Sequence, residues 1–400
     1  MKLIFKKGCN LQKEMDNGSP LRVAIVTTVP ETLASILVGQ PSYLAKHFDV
    51  SLVTSPGPMV ERVRQGEGLS VEIVRMERGI NPFKDLISIW HMWRTLRRLR
   101  PDIVHSYTPK AGLVTMVSAW LCGVPARVHT FTGLIFPTAT GLKQQILIWV
   151  DRLICACATH VVPEGMGVQH DLESYSITRK PLKVIGYGNI AGVDTAHFSP
   201  EAAGVQSAAA ELGARLKLEP QAMVFCFVGR LNKDKGIAEL CAAFEALPEQ
   251  AHLLLVGGLD QSAPISNDLQ ENIKNNSCIH ALGFMEDIRP ALHLASVLVL
   301  PSYREGFPNV VLQAGSMKLP VIATDINGCN EIIEPGFNGW LVPPRDAEAL
   351  MVAMQEAMLT PSGSRKKMGE SARSRVQQWF EQRQHWERMK LFYQGLLSDR

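Results

Sequence analysis

The chain has 400 residues, 46% of them hydrophobic and 20% charged, which is globular composition with room for two or three domains and excludes a disordered or fibrous protein. Forty-one Lys and Arg against 38 Asp and Glu leave a net charge of +3, which excludes a nucleic-acid binder that works by bulk charge. The eight cysteines form no CxxC pair and no cluster with zinc spacing, so neither a zinc site nor a disulfide framework is expected, and a reducing, cytoplasmic setting is.

The first twenty residues are too polar for the apolar stretch of a signal peptide and are expected to form a loose leader. From residue 21 the chain alternates short, continuously apolar runs with stretches of helical spacing. Strands are predicted at 21–28, 49–54, 71–74, 102–105, 128–130, 160–163 and 182–185, with a helix over 83–100. Runs apolar on both faces, separated by helices, are the signature of a parallel sheet covered on both sides. The most apolar segment, QQILIWVDRLICACATHVV, is interrupted by Asp151 and Arg152 and falls short of a membrane span.

The pattern restarts after a Gly- and Ala-rich stretch. Further strands are predicted at 224–228, 252–256, 279–282, 297–300 and 321–323, and one or two amphipathic helices at 364–397. The expected architecture is α/β, with two doubly wound domains over 21–200 and 201–375, a hinge near 195–220, and a final helix over 376–400 at their junction. Ligands of such sheets bind beyond the carboxyl ends of the strands, so two facing domains offer a cleft for two reactants.

The strand ends of the second half carry the strongest chemical signal. In PSYREGFPNVVLQAG (301–315) a buried strand gives way to a loop holding Glu305 and Gly306, then to a helix opening near Asn309 behind Pro308. The free N–H groups at such a helix start favour an anion. In VGRLNKDKG (228–236), Arg230 and Lys235 are cations placed beyond another strand end, able to neutralise a diphosphate. Gly257 in LLLVGG, and Gly283 and Phe284 in ALGFMEDI, mark two more strand ends where backbone can approach a nucleotide.

Taken in order, VGRLNKDKG, LLLVGG, ALGFMEDI, PSYREGFPNVVLQAG, PVIATDINGCNEII and NGWLVPPRDAEAL resemble the family 4 retaining glycosyltransferases of the GT-B fold, over essentially all of 224–350. The resemblance implies that Glu305 binds hydroxyls of the donor sugar, that Arg230 and Lys235 bind the diphosphate, and that the backbone at Phe307, Pro308, Asn309 and Val310 contacts sugar and phosphate. The family's second Glu, which holds the nucleotide ribose, is replaced here by Gln313. Glutamine keeps an acceptor but loses the charge and the two-oxygen grip.

In the first half, HSYTPK (105–110) and HTFTG (129–133) are similar to segments of the subgroup that builds bacterial surface glycans. That similarity implies His129 as the active-site histidine on the acceptor side, with Thr130 and Thr132 along the same strand end and Lys110 as a holder of acceptor phosphate. It implies a nucleoside diphosphate sugar donor, with UDP as the expected nucleotide, a glycan acceptor that can be polyprenyl-diphosphate-linked, and no cofactor or metal. The glycine-rich loop that usually follows the first strand is missing, because TTVPETLASILVGQ has no glycine before Gly39. In IWHMWRTLRRLRP (89–101), Trp90 and Trp93 stand beside four arginines, a combination suited either to an anionic membrane surface or to an ordinary crossover helix. Two other function classes stay open: a sugar-nucleotide epimerase of the same fold, and a catalytically silent subunit, for which Gln313 is the only support.

Overall fold

The computed structural model describes residues 20–397 apart from 78, 80, 220, 249, 261 and 262. The expected leader therefore lies outside the described residues except for its last position. Strands β1 (Arg22–Val26), β2 (Asp49–Thr54), β3 (Val71–Ile73), β4 (Ile103–Tyr107), β5 (Ala126–Phe131) and β6 (His160–Pro163) form one sheet in the order β3-β2-β1-β4-β5-β6. Strands β7 (Met223–Val228), β8 (Ala251–Val256), β9 (Ile279–Gly283), β10 (Val297–Leu300), β11 (Val321–Thr324) and β12 (Gly339–Val342) form a second, in the order β12-β11-β10-β7-β8-β9. Every pairing between these strands is parallel. Numbered from its own first strand, each sheet has the doubly wound order 3-2-1-4-5-6, with its switch point beside the first strand.

Two details differ from the sequence expectation. Residues 182–185 make no strand. Leu182 forms one isolated bridge to Val161, and Pro181 just before it has no N–H to extend a ladder. β12 was not expected, because its four residues open on Gly339 and run into a Pro-Pro pair. It pairs with β11 because Gly339 lets the backbones meet; a Cβ there would lie 2.2 Å from the Val321 carbonyl oxygen.

The chain crosses between the domains twice, side by side. Val193 N–H donates to the Phe380 carbonyl (2.8 Å) and Gln382 N–H donates to the Val193 carbonyl (3.0 Å). Gly192, at φ +69°, is pressed so close that a Cβ would sit 2.6 Å from Gln382 Cα. The first crossing thus precedes the expected 195–220 hinge, and the second lies a few residues past 375. Helix Ser362–Trp379 buries Val376 in the core of the second domain. Helix Gln382–Gly395 returns to the first, where Met389 and Tyr393 join Val23, Ile25 and Tyr107.

Candidate active site

The two domains enclose a cleft of about 400 Å³ at the carboxyl ends of both sheets. The second domain supplies Lys235, Glu305, Gly306, Phe307, Pro308, Asn309, Val310 and Gln313, with Val228 at the end of β7. The first supplies Thr32, Ser35, Ile36, Thr108, Thr132, Glu164 and Ile190. A larger groove of about 730 Å³ lies on the outer side of the second domain, between β12 and helix Ala347–Leu359, and holds none of the expected site residues.

Two loops of the second domain are clasped together, and the clasp brings Lys235 to Glu305. Tyr303 N–H donates to the Asp234 carbonyl (2.8 Å), and the Arg304 guanidinium donates to the Asp234 carboxylate (2.8 Å). Gly236, at φ +67°, lies so near the other loop that a Cβ would meet the Pro301 carbonyl oxygen at 2.1 Å. Lys235 Nζ then donates to Glu305 Oε1. Helix Asn309–Ser316 opens directly behind, with Pro308 in the cap position. Its first residue is held by the chain crossing: Asn189 Nδ2 donates to Asn309 Oδ1 (2.7 Å), while Asn189 Oδ1 accepts from the N–H groups of Ala191 (2.9 Å) and Gly192 (2.8 Å). The second domain thus offers the Lys235 cation, helix-start amides and the Glu305 carboxylate on the wall of one cavity, a set that suits a diphosphate joined to a polyhydroxylated group.

The domains touch across this cleft at glycines. A Cβ on Gly306 would lie 2.3 Å from Glu164 Oε2 and 2.6 Å from Gly133 N. Below that contact Glu331, from the second domain, caps the first turn of the first domain's helix Met166–Ser174. Its carboxylate accepts from Met166 N–H (2.6 Å) and Gly167 N–H (3.0 Å).

Several expected site residues stand off the cleft lining. His129 is fully buried, with Gly112 of helix Pro109–Cys122 against its ring; a Cβ on that glycine would lie 2.4 Å from the ring's Cε1. Burial pushes the imidazole down to about 3, so it is neutral. Its Nδ1 hydrogen-bonds Ser106 Oγ (2.8 Å), and its Nε2 has no partner among the described residues. Thr130 points to the other side of the sheet and hydrogen-bonds His105 Nε2 (2.7 Å), whose Nδ1 meets the Tyr393 hydroxyl (2.7 Å). Adjacent residues of a strand face opposite sides, so His129 and Thr130 serve different layers. Lys110 donates to both carboxylate oxygens of Asp85 (2.7 and 2.8 Å), each side chain 13% exposed. Its charge is matched inside the first domain.

Arg230 pairs with Asp260 at the rim, its side chain 59% exposed. Gly257 and Gly283 join β8 to β9 through the Gly257 N–H, which donates to the Gly283 carbonyl (2.8 Å). Phe284 is 77% exposed. Phe307 turns its ring onto Phe380 (5.4 Å between centroids).

Sequence reasoning missed Thr32, Ser35, Ile36, Thr108, Glu164 and Ile190. Thr32 and Ser35 sit on a wide helical turn, Thr32–Ile36, where the glycine-rich loop was sought. Thr108 adopts φ +75°, unusual for a β-branched residue. Its hydroxyl is 2.6 Å from that of Thr28, which accepts from Ala111 N–H (3.1 Å) and ties the helix start to the end of β1. Glu164 follows the last residue of β6, so its place at a strand end was the available signal.

The comparisons with known proteins agree with this layout. Residues 222–359 match a family described as glycosyl transferases group 1, and residues 41–188 match a glycosyl transferase 4-like domain. The chain is 27% identical over 369 residues to the capsular polysaccharide biosynthesis glycosyltransferase CapM of Staphylococcus aureus, covering 91% of this chain and 94% of that protein. It is 26% identical over 325 residues to the UDP-Gal:alpha-D-GlcNAc-diphosphoundecaprenol alpha-1,3-galactosyltransferase of Escherichia coli, covering 77% and 80%. Anabaena HepE, solved with UDP and glucose, superposes with a TM-score of 0.80 at 17% identity, over 94% of this chain and all of that one.

Proposed function

The chain belongs to the family 4 glycosyltransferases of the GT-B fold, and we propose that it moves a sugar from a UDP-linked donor to a hydroxyl of a polyprenyl-diphosphate-linked glycan, with retention at the anomeric carbon and without a metal. The observation that carries this reading is the Lys235–Glu305 pair set before the start of helix Asn309–Ser316, on a cavity walled by both domains. In the transfer, the bond from the anomeric carbon to the diphosphate oxygen breaks. The acceptor oxygen bonds to that carbon on the same face, and its proton passes to the leaving phosphate. Lys235 and the amides of Asn309 and Val310 stabilise the charge that develops on the diphosphate, and Glu305 holds sugar hydroxyls. The relatives in capsular and diphosphoundecaprenol-linked glycan synthesis support transfer to such acceptors, and give no support to the epimerase or silent-subunit alternatives. Turnover of a panel of UDP-sugars, with an undecaprenyl-diphosphate-linked sugar as acceptor, tests the proposal. Hydrolysis or epimerisation without glycosidic product would overturn it.

Gln313 lines the cavity and stands where the family's ribose-binding Glu is found. Gln313→Glu is expected to tighten donor binding by about 1 kcal/mol, because a charged acceptor makes a stronger bond to the ribose hydroxyls. Calorimetry on both forms checks this. Weaker binding by the Glu form would place the ribose elsewhere.

A lipid-linked acceptor calls for access to the membrane surface, and the first domain has a face for it. No helix among the described residues is long and apolar enough to cross a membrane. Helices Pro82–Leu99, Pro109–Cys122 and Gly141–Cys157 cover one side of the first sheet through Met92, Val114 and Ile154. Their outer sides expose Phe83, Leu86, Ile87 and Trp90, then Trp120 and Leu121, then Leu142, Trp149 and Leu153. Arg94 lies over the Trp90 ring and Arg152 over Trp149. Exposed aromatic and aliphatic groups among arginines match an anionic bilayer surface. The double variant Trp90→Ala/Trp149→Ala is expected to lose co-sedimentation with phosphatidylglycerol vesicles while keeping its UDP affinity. Unchanged sedimentation would remove this face from the proposal.

A further inference from the structure

We propose that Glu164 contacts the sugar being transferred, donating a hydrogen bond from the first domain to one of its hydroxyls. The inference rests on the donor-site reading above and adds a residue that no motif supplied. Glu164 is 5% exposed and lines the same cavity as Glu305 and Lys235. Its backbone is fixed on both sides: the N–H donates to the Phe131 carbonyl (3.1 Å), and the carbonyl accepts from Asn189 N–H (2.8 Å). Its carboxyl meets no hydrogen-bond donor among the described residues, whereas its charged neighbours are all matched. Lys235, from the loop after β7, is engaged by Glu305, from the loop after β10. Glu331, on helix Cys329–Ile332, accepts from the amides of Met166, Gly167 and Gly328.

Of these three carboxyls only Glu305 meets a cation, and the one without a partner among the described residues is the most enclosed. Burial, then the charges of Glu305 and Glu331, hold the Glu164 carboxyl well above the usual carboxylate range. A carboxyl that keeps its proton is a donor as well as an acceptor. Glu305, one residue from the Gly306 backbone against which Glu164 rests, is acceptor-only when ionised. A sugar hydroxyl between them donates a hydrogen bond to Glu305 and accepts one from Glu164. A phosphate oxygen has no proton to give, so it fits Lys235 and the helix start better than this pair.

The test compares wild type, Glu164→Ala and Glu164→Gln with whichever of UDP-glucose, UDP-galactose, UDP-N-acetylglucosamine and UDP-N-acetylgalactosamine the wild type turns over, from pH 6 to 10. UDP affinity is measured alongside, since UDP lacks the sugar. Glu164→Ala should lose about 10-fold in kcat/KM, the scale of one lost hydrogen bond in an enclosed site, with UDP affinity unchanged. Glu164→Gln, which cannot ionise, should recover part of that loss. It should also lack the fall in kcat/KM that the wild type shows as pH rises and the Glu164 proton leaves. Wild-type kcat/KM in Glu164→Ala, or the same alkaline fall in Glu164→Gln, would overturn the inference. Reduced UDP affinity in both variants would do so too, by making the role structural. Failure of the wild type to turn over any of the four donors would instead overturn the donor-site reading itself.

Discussion

Glu305→Gln is expected to lower kcat by about 100- to 1,000-fold, the range that follows removal of a single group poised at the reacting centre. The change keeps the shape of the side chain and removes its charge, so Lys235 loses its present partner. The two side chains are 15% and 23% exposed. Breaking a largely enclosed pair is destabilising chiefly because one charge is left uncompensated, but here the stranded charge is a lysine on the wall of an open cleft. Stability should therefore fall little, and UDP should bind at least as tightly, since its diphosphate no longer competes with Glu305 for the ammonium. Lys235→Ala should do the reverse. It should weaken UDP binding by about 1.5–3 kcal/mol, the worth of a charge-assisted hydrogen bond, or roughly 10- to 100-fold in Kd. Steady-state kinetics and calorimetry on the two variants separate the roles. Wild-type turnover by Glu305→Gln would remove Glu305 from the sugar site, and unchanged UDP affinity in Lys235→Ala would remove Lys235 from the phosphate site.

The fold was legible because its strands are buried on both faces. Runs such as VFCFV and HLLLV leave little choice between strand and loop, and their alternation with helices implies parallel sheets. β12 escaped because a four-residue strand at a sheet edge has too short an apolar run to show a period, and its Gly and Pro neighbours read as loop. The second domain's side of the cleft was legible for a local reason. Lys235, Glu305 and the helix start at Asn309 lie in two short segments whose own loops clasp each other, so sequence proximity carries most of the geometry. The first domain's contribution comes from four separate strand ends and the chain crossing, which no local pattern links. His129, Thr130 and Lys110 belong to motif-like runs, yet their neighbours are set by tertiary packing. Gly112 covers the His129 ring, His105 takes the Thr130 hydroxyl, and Asp85, 25 residues before Lys110, takes its ammonium. Glu164 carried no motif, and its place on the cleft appears only once Gly306 is set against it.

Gly306→Ala should abolish most turnover while leaving each domain folded. The backbone conformation of Gly306 is not among the positive-φ glycines, so alanine introduces no torsional strain, and any effect comes from what the new methyl meets. It would meet Glu164 Oε2 at 2.3 Å, Gly133 N at 2.6 Å and the Thr132 carbonyl carbon at 2.8 Å. A carboxylate can swing aside, but the backbone of Gly133 cannot without moving the end of β5. The cheaper relief is to part the two domains at the cleft, where two chain crossings, polar contacts such as Glu331 on Met166, and the Phe307 ring against Gly188 join them. A shift of about 1 Å at the reacting centre can cost on the order of 100-fold in rate, and that is the loss expected in kcat. The thermal transition should fall by far less, because the contact is backbone against backbone and no core side chain is removed. Gly66→Ala is the control. That glycine sits within helix Val60–Glu67 with nothing within 4 Å of a new methyl, so it should keep full activity and gain about 0.5–1 kcal/mol of stability. Turnover by Gly306→Ala equal to wild type would show that the Gly133–Gly306 contact is open when the sugar is transferred. The reacting geometry would then belong to a more open arrangement of the domains, and Glu164 would stand too far from the sugar to hold it.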